Sequence, residues 1–133
     1  MIKKSSIKII TEWDIVEVRK LGRNEAEAIG FGTVDQARIT TAISELARNI
    51  FLYAEIGTIK IERVETVDER KIVVVASDKG PGILDIRKIL EDGYAKAGGV
   101  GAGLPGVKRL MDTIEIQSVR GEGTIIRTEK WLC

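Results

Sequence analysis

Residues 72–83 read Ile-Val-Val-Val-Ala-Ser-Asp-Lys-Gly-Pro-Gly-Ile, an apolar run that ends at an aspartate followed by two glycines. The continuous apolar segment Ile72–Ala76 predicts a buried strand. A turn between a strand and a helix explains Gly-Pro-Gly, but it does not require an acid at Asp78. A partly buried carboxylate at this position needs a hydrogen-bond donor. An adenine amino group could be that donor, because Gly80 and Gly82 let the backbone approach a ring.

Apolar residues at three- and four-residue spacing predict two amphipathic helices before this strand. They span residues 14–29 and Thr33 to about Ala54. Thr33 followed by Gln36 resembles a capping box at the start of the second helix. Further along the chain, Pro105 suits the first turn of another helix.

The remaining elements are predicted from alternating or continuous apolar residues. Strands are expected over Ser6–Ile10, Thr58–Val64, Ile114–Val119 and Thr124–Trp131, with a short helix near Asp85–Glu91. The order β-α-α-β-β-α-lid-α-β-β predicts an α+β fold, a two-layer sandwich whose helices cover one face of a mixed sheet. Since no linker or internal repeat is present, residues 1–133 are expected to form one domain.

Composition excludes several classes of function. With 21 basic and 20 acidic side chains among 133 residues, the chain lacks the basic field typical of nucleic-acid binding. No apolar run approaches the ~18 residues of a membrane helix, and no signal segment opens the chain, so a cytoplasmic protein without a membrane partner is expected. Histidine is absent and the one cysteine is Cys133, which excludes His-based catalysis, His zinc ligands and an intrachain disulfide.

Glu45 and Asn49 lie four positions apart on the second predicted helix, so their side chains project together. At about 100° per residue, both fall roughly opposite the apolar stripe of that helix. One interpretation is a solvated polar face on which Glu45, Arg38 and Arg48 form weak pairs. The other is a carboxylate that accepts a proton beside an amide oxygen that ligates Mg²⁺.

The segment 98–106, Gly-Gly-Val-Gly-Ala-Gly-Leu-Pro-Gly, is the richest in glycine. Gly101, Gly103 and Gly106 satisfy the pattern G-x-G-x-x-G, but no strand precedes them, so this is not the dinucleotide fingerprint. The glycine loop of protein kinases is excluded because Lys108 stands where that loop has valine. A disordered loop and a flexible lid ending at a phosphate-binding helix N-terminus are the two interpretations that remain.

Four motifs, taken in order, resemble those of the GHKL ATPase superfamily of gyrase, histidine kinases, MutL and heat-shock chaperones. They are Glu45…Asn49, Asp78-x-Gly80-x-Gly82, Gly101-x-Gly103 and Gly121-x-Gly123-Thr124. Each motif is weak alone, and the last by itself indicates only a hairpin turn. Four motifs in the family's order with sensible spacing are specific.

The resemblance is closer to the bacterial anti-sigma-type serine/threonine kinases, and among these to the stressosome switch kinases. Segments 11–16, 40–50, 101–112 and 130–132 carry it, so it spans nearly the whole chain. The absence of histidine agrees, because this branch phosphorylates a partner's hydroxyl directly. The resemblance implies a Bergerat-type ATP-binding fold with a glycine-rich ATP lid, and a Mg·ATP-dependent protein serine/threonine kinase.

The resemblance also implies roles for residues at the nucleotide. Asn49 would hold Mg²⁺ against the phosphates, and Glu45 would orient or deprotonate the attacking hydroxyl. Asp78 would bind the adenine amino group, in a pocket shaped by Gly80 and Gly82.

The lid and the last motif complete the implied site. Gly101 and Gly103 would let the lid wrap the phosphates, while Thr124 would reach adenine through water. Arg48 and Lys108 are candidate phosphate neighbours.

The implied acceptor is a Ser or Thr of a STAS-domain stressosome protein. The released kinase is implied to bind and activate a PP2C-type phosphatase. Two alternatives stay open: a sister kinase that inhibits a sigma factor directly, and a non-catalytic module in which ATP only selects between partners.

Overall fold

The chain forms an α+β fold, and a computed structural model describes residues 2–83, 85, 87, 90 and 103–132. The elements are β1 (Ile2–Ile9), α1 (Glu12–Ile29), α2 (Thr33–Tyr53), β2 (Gly57–Glu65), β3 (Arg70–Asp78), α3 (Leu104–Leu110), β4 (Thr113–Val119) and β5 (Gly123–Trp131). The predicted order of elements is confirmed over these residues. Most of the helix expected near residues 85–91, and the lid residue Gly101, lie outside the described part of the chain.

The five strands form one sheet in the order β1-β2-β3-β5-β4. The prediction of a mixed sheet is wrong, since each neighbouring pair in this sheet is antiparallel. The reason lies in the strand order. Strands β3 and β4 run parallel to each other, but β5 lies between them and pairs antiparallel with both, so the two parallel strands are not neighbours.

Helix α1 starts two residues earlier than predicted, whereas α2 starts at Thr33 as predicted. Helix α1 has Thr11 at its N-cap, and the carboxylate of Asp14 accepts the Thr11 backbone N–H at 2.9 Å. This hydrogen bond, and next to it the one from the Ile10 backbone N–H, lower the pKa of Asp14. The capping box expected at Thr33 and Gln36 is wrong: Gly32 is the N-cap of α2, and the Gln36 amide instead donates to the carbonyl one residue before that cap, at 2.8 Å.

The core lies between the helices and one face of the sheet. Its fully buried side chains include Ile43, Leu46 and Ile50 of α2, Ile59 and Ile61 of β2, and Ile72 and Val74 of β3. Burying a side chain of this size contributes about 1.5–3 kcal/mol. This packing fixes α2 across the sheet and brings its C-terminal end to the end of β3, where a Cβ on Gly80 would lie 2.8 Å from the Ala54 Cβ.

None of the helices in the described ranges is long and apolar enough to cross a membrane.

Candidate active site

Asp78 and Thr124 are neighbours at the ends of two adjacent strands, because the register of β3 and β5 pairs them directly. Both side chains project to the helix-covered face, as those of Ala76 and Ile126 do on the same strands. Asp78 is half-buried, and its Oδ1 accepts the backbone N–H of Gly80 at 2.9 Å. The sequence prediction of a partly buried acid at the strand end is therefore confirmed.

A narrow cavity opens between these strand ends and the end of α2, with about 310 Å³ of empty space when the space open to solvent is included. It is lined by Asn49, Tyr53, Ala54, Asp78, Pro81, Gly82, Ile83, Leu104, Thr124 and Ile126. Apolar side chains and a few converging polar groups form this lining. Such a cavity suits a flat heteroaromatic ring with one polar edge.

Asn49 carries an unsatisfied buried group beside this cavity. Its Nδ2 is buried without a hydrogen-bond partner in the described structure. Leaving a buried polar group unpaired costs about 1–3 kcal/mol, so the site fits a ligand that satisfies the amide. In one amide orientation Asn49 would donate to an acceptor atom of such a ligand, and in the flipped orientation it would offer its oxygen to a donor or a cation.

A wider cavity of about 1140 Å³ adjoins the first, and Asn49 and Tyr53 line both. Its remaining lining residues are Thr41, Glu45, Arg48, Leu52, Gly103, Gly106, Arg109 and Leu110. The predicted base, Glu45, therefore lies in the same cavity as the side chains of two arginines. This charge distribution suits an anionic group that reacts near a carboxylate.

Gly103 lies directly against Glu45. A Cβ at this glycine would overlap the Glu45 carboxylate. The φ and ψ of Gly103, −84° and −4°, are open to any residue, so a side chain here would displace the Glu45 carboxylate rather than strain the backbone. The structure thus brings a predicted lid residue to the predicted base.

Gly82 is crowded in a different way. Its φ is +80°, and a Cβ there would lie 2.7 Å from the carbonyl oxygen of Val119. The loop after β3 therefore packs against the backbone of β4. Among the predicted site residues, only Gly101 is outside the described part of the chain.

The interpretation of the Glu45 face as fully solvated is wrong. Glu45 and Asn49 are both half-buried, because α3 packs against α2 on that side. Arg38 pairs with Asp35 at 3.0 Å and not with Glu45.

Sequence reasoning missed Tyr53, Arg109 and Ser118. Tyr53 lies four positions after Asn49 on α2, so helical periodicity is the signal that could have found it. Ser118 flanks the predicted hairpin turn at residues 121–123, so the register of that hairpin is the signal that could have found it. Its hydroxyl lies 2.9 Å from the Thr124 hydroxyl through the pairing of β4 with β5.

The donor set fits a magnesium ion that takes few ligands from the protein. Among the described residues, no three Asp, Glu, Cys or His side chains converge. Mg²⁺ commonly takes one or two protein ligands and completes its shell with phosphate and water oxygens. Asn49, which lines both cavities, is compatible with that arrangement.

The family model of the histidine kinase-like ATPase domain matches residues 11–130. The chain belongs to this family. Within this ATPase family, it is 61% identical to the serine/threonine-protein kinase RsbT of Bacillus subtilis (strain 168) over 132 residues, which is 99% of each chain. It is 30% identical to an anti-sigma F factor of Caldanaerobacter subterraneus over 102 residues, which is 72% of this chain and 70% of that protein.

The shape of this ATPase domain also has a counterpart among solved structures. A chain in the crystal structure of the SiaB-SiaC complex from Pseudomonas aeruginosa superposes with a TM-score of 0.59. The match covers 98% of this chain and 89% of that one at 14% identity, so it shows the fold alone. The predictions of a GHKL-type fold and of a serine/threonine kinase are confirmed, while the roles of single site residues stay predictions.

Proposed function

We propose that this kinase transfers the γ-phosphate of Mg·ATP to a Ser or Thr hydroxyl of a STAS-domain protein in the cytoplasm. The observation that carries the proposal is the convergence of Asn49, Asp78 and Thr124 on one cavity that opens toward Glu45. The likeness to a serine/threonine-protein kinase over the whole chain supports the acceptor chemistry. After transfer, the released kinase binds and activates a PP2C-type phosphatase.

In this proposal the smaller cavity holds adenine. The Asp78 carboxylate accepts a hydrogen bond from the exocyclic amino group, and Thr124 contacts the same polar edge. Ile83 and Ile126 cover the ring with apolar surface that is already buried. Gly80 and Gly82 supply the close backbone wall.

The wider cavity holds the phosphates and the acceptor hydroxyl. Glu45 takes the proton of the hydroxyl as its oxygen attacks the γ-phosphorus, and the bond from that phosphorus to the ADP oxygen breaks. Bound Mg²⁺ supplies charge neutralisation at the phosphate oxygens, and Asn49 is the residue that would hold it. Positioning and charge stabilisation largely suffice for phosphoryl transfer, so the chain needs no histidine.

The test measures label transfer from γ-labelled Mg·ATP to purified STAS-domain acceptors, together with ATP affinity by calorimetry. Asp78→Asn should weaken ATP binding about tenfold to a hundredfold, since a hydrogen bond to a charged group is worth roughly 1.5–3 kcal/mol. Glu45→Ala should keep ATP affinity and slow transfer by about 10²–10⁴-fold. Asp35→Asn is the matched control for Asp78→Asn. It also replaces a carboxylate with an amide, but at a position on α2 that lines neither cavity.

A separate experimental result would contradict each proposed residue role. Transfer at the normal rate by Glu45→Ala would remove the base role, and normal ATP affinity of folded Asp78→Asn would remove the adenine assignment. If the wild type bound ATP but labelled no acceptor, the non-catalytic ATP-gated module would replace the kinase.

Direct inhibition of a sigma factor is a second candidate function. The 30% identity to an anti-sigma F factor favours it, although the similarity to the kinase is twice as high and covers more of the chain. Co-elution of the purified protein with a host sigma factor decides between them.

A further inference from the structure

Ser118 joins the hairpin of β4 and β5 to the loop after β3, which is distant in sequence. Its Oγ accepts the backbone N–H of Ile83 at 2.7 Å, lies 2.9 Å from the Thr124 Oγ1 and lies 3.2 Å from the Gly123 carbonyl oxygen. Ile83 belongs to the loop after β3, whereas Thr124 is the second residue of β5. One hydroxyl therefore ties together two sides of the cavity that Asp78 and Thr124 line.

Backbone contacts reinforce the same junction. The Gly121 N–H donates to the Pro81 carbonyl at 2.9 Å, and a Cβ on Gly82 would lie 2.7 Å from the Val119 carbonyl oxygen. The turn between β4 and β5 is thus attached to the loop after β3 at several points. Ser118 supplies the side-chain member of this attachment.

The number of hydrogen bonds that the Ser118 hydroxyl can donate and accept determines whether the Thr124 hydroxyl donates to it or accepts from it. A serine hydroxyl has one proton to donate and two lone pairs to accept. All three recorded contacts are satisfied together when Ser118 accepts from Ile83, donates to Gly123 and accepts the proton of Thr124. In that arrangement the Thr124 oxygen has only lone pairs left for the cavity.

We propose that Ser118 is a positioning residue that makes Thr124 a hydrogen-bond acceptor beside Asp78, so that the cavity selects a base with an amino group over one with a carbonyl. The inference rests on the proposed binding of ATP. Two acceptors side by side match the donors of the adenine amino group. They repel the carbonyl oxygen at the same position of hypoxanthine.

The experiment compares the affinity for Mg·ATP and Mg·ITP, which differ at the base edge and share the same phosphates. Ser118→Ala should weaken ATP binding about threefold to tenfold, the range expected for one neutral hydrogen bond. Binding of ITP should change less than about twofold, because the released Thr124 hydroxyl can turn and donate to the carbonyl. The ratio of ITP to ATP dissociation constants therefore falls about threefold to tenfold.

Matched variants separate positioning from general damage. Ser118→Thr keeps the hydroxyl and should restore the ratio, while Ser77→Ala makes the same change as Ser118→Ala on the opposite face of the sheet and should leave it unchanged. In a Thr124→Val background, Ser118→Ala should not change the ratio further, because its effect runs through Thr124. If Ser118→Ala does not fold, Ser118→Cys, which keeps only a weak donor and acceptor, should show the same fall.

The outcomes distinguish this inference from the proposed function. A wild type that binds ATP, combined with a Ser118→Ala variant that loses ATP and ITP affinity equally, would overturn the role of Ser118 alone. A wild type that binds neither nucleotide would overturn the proposed function itself.

Discussion

Gly82 and Gly121 have nearly the same backbone conformation, with φ of +80° and +79°, but their surroundings differ. A Cβ on Gly82 would meet the Val119 carbonyl, whereas a Cβ on Gly121 would have no atom within 4 Å. The left-handed conformation alone costs a non-glycine residue about 1–2 kcal/mol. The two sites therefore allow backbone strain to be separated from crowding at the candidate site.

We expect Gly121→Ala to lower the free energy of unfolding by about 1–2 kcal/mol. Gly82→Ala should lower it by a further ~1–3 kcal/mol, because the loop must move away from β4. Only Gly82→Ala should also weaken ATP binding. Urea unfolding and calorimetry of the two variants check this, and equal losses of stability would show that the Val119 contact is unimportant.

The register of β3 with β5 connects the site to the other end of the sheet. Asp78 pairs with Thr124 at one end, and Lys71 pairs with Trp131 at the other. On the open face of the sheet the Lys71 ammonium lies 3.0 Å from Glu129 and 5.1 Å from the centre of the Trp131 ring. These contacts hold the two strands in the register that the candidate site requires.

The ion pair between Lys71 and Glu129 makes the stability of the fold depend on pH. Burial pushes the pKa of Glu129 up, but the hydrogen bond and charge of Lys71, together with Arg127, lower it below its usual value. The hydrogen bond that Lys71 donates to the Glu129 carboxylate raises the pKa of Lys71. A lowered carboxyl pKa gives stability that is present above the unfolded-state value of about 4.3 and is lost as the pH falls through the folded-state value.

Glu129→Gln should therefore cost up to about 1 kcal/mol of unfolding free energy at neutral pH. The difference between wild type and variant should shrink as the pH falls below about 4.3. Urea unfolding across that range measures it, with the exposed Glu17→Gln on α1 as the control. A difference that stayed constant in acid would rule out the charge of Glu129 as its cause.

At the scale of the whole molecule, the two cavities collect residues from α2, α3, the loop after β3, and β5. Such a composite site exists only in the folded chain. A nucleotide bound there stabilises the folded state by RT ln(1 + [L]/Kd), which is about 2.7 kcal/mol when the ligand is at 100 times Kd. Binding should therefore appear as a shift of global unfolding.

Mg·ATP at 100 times its wild-type Kd should raise the Tm of the wild type by roughly 10 °C. The same concentration should stabilise Asp78→Asn by only about 0.4–1.4 kcal/mol, because its Kd is tenfold to a hundredfold higher. Differential scanning calorimetry with and without nucleotide measures both shifts. Equal shifts would place the bound nucleotide away from Asp78.

The sequence by itself determined the order of the elements and, within a few residues, the bounds of most strands and helices. This was possible because apolar periodicity and glycine or proline interruptions are local properties. It also located several of the polar residues that line the candidate site, because Asp78 follows directly on an apolar run and Asn49 follows Glu45 by one helical turn. Both signals can be read without any distant contact.

Only the tertiary structure decided how these elements combine. Strand pairing depended on β5 entering the sheet between β3 and β4, and the burial of the Asn49 amide depended on α3 packing beside α2. The contact of Gly103 with Glu45 and the bond of Ser118 to the Ile83 backbone arise from the packing of elements. Contacts between residues far apart in the chain leave no local pattern, so they are determined only when the elements pack.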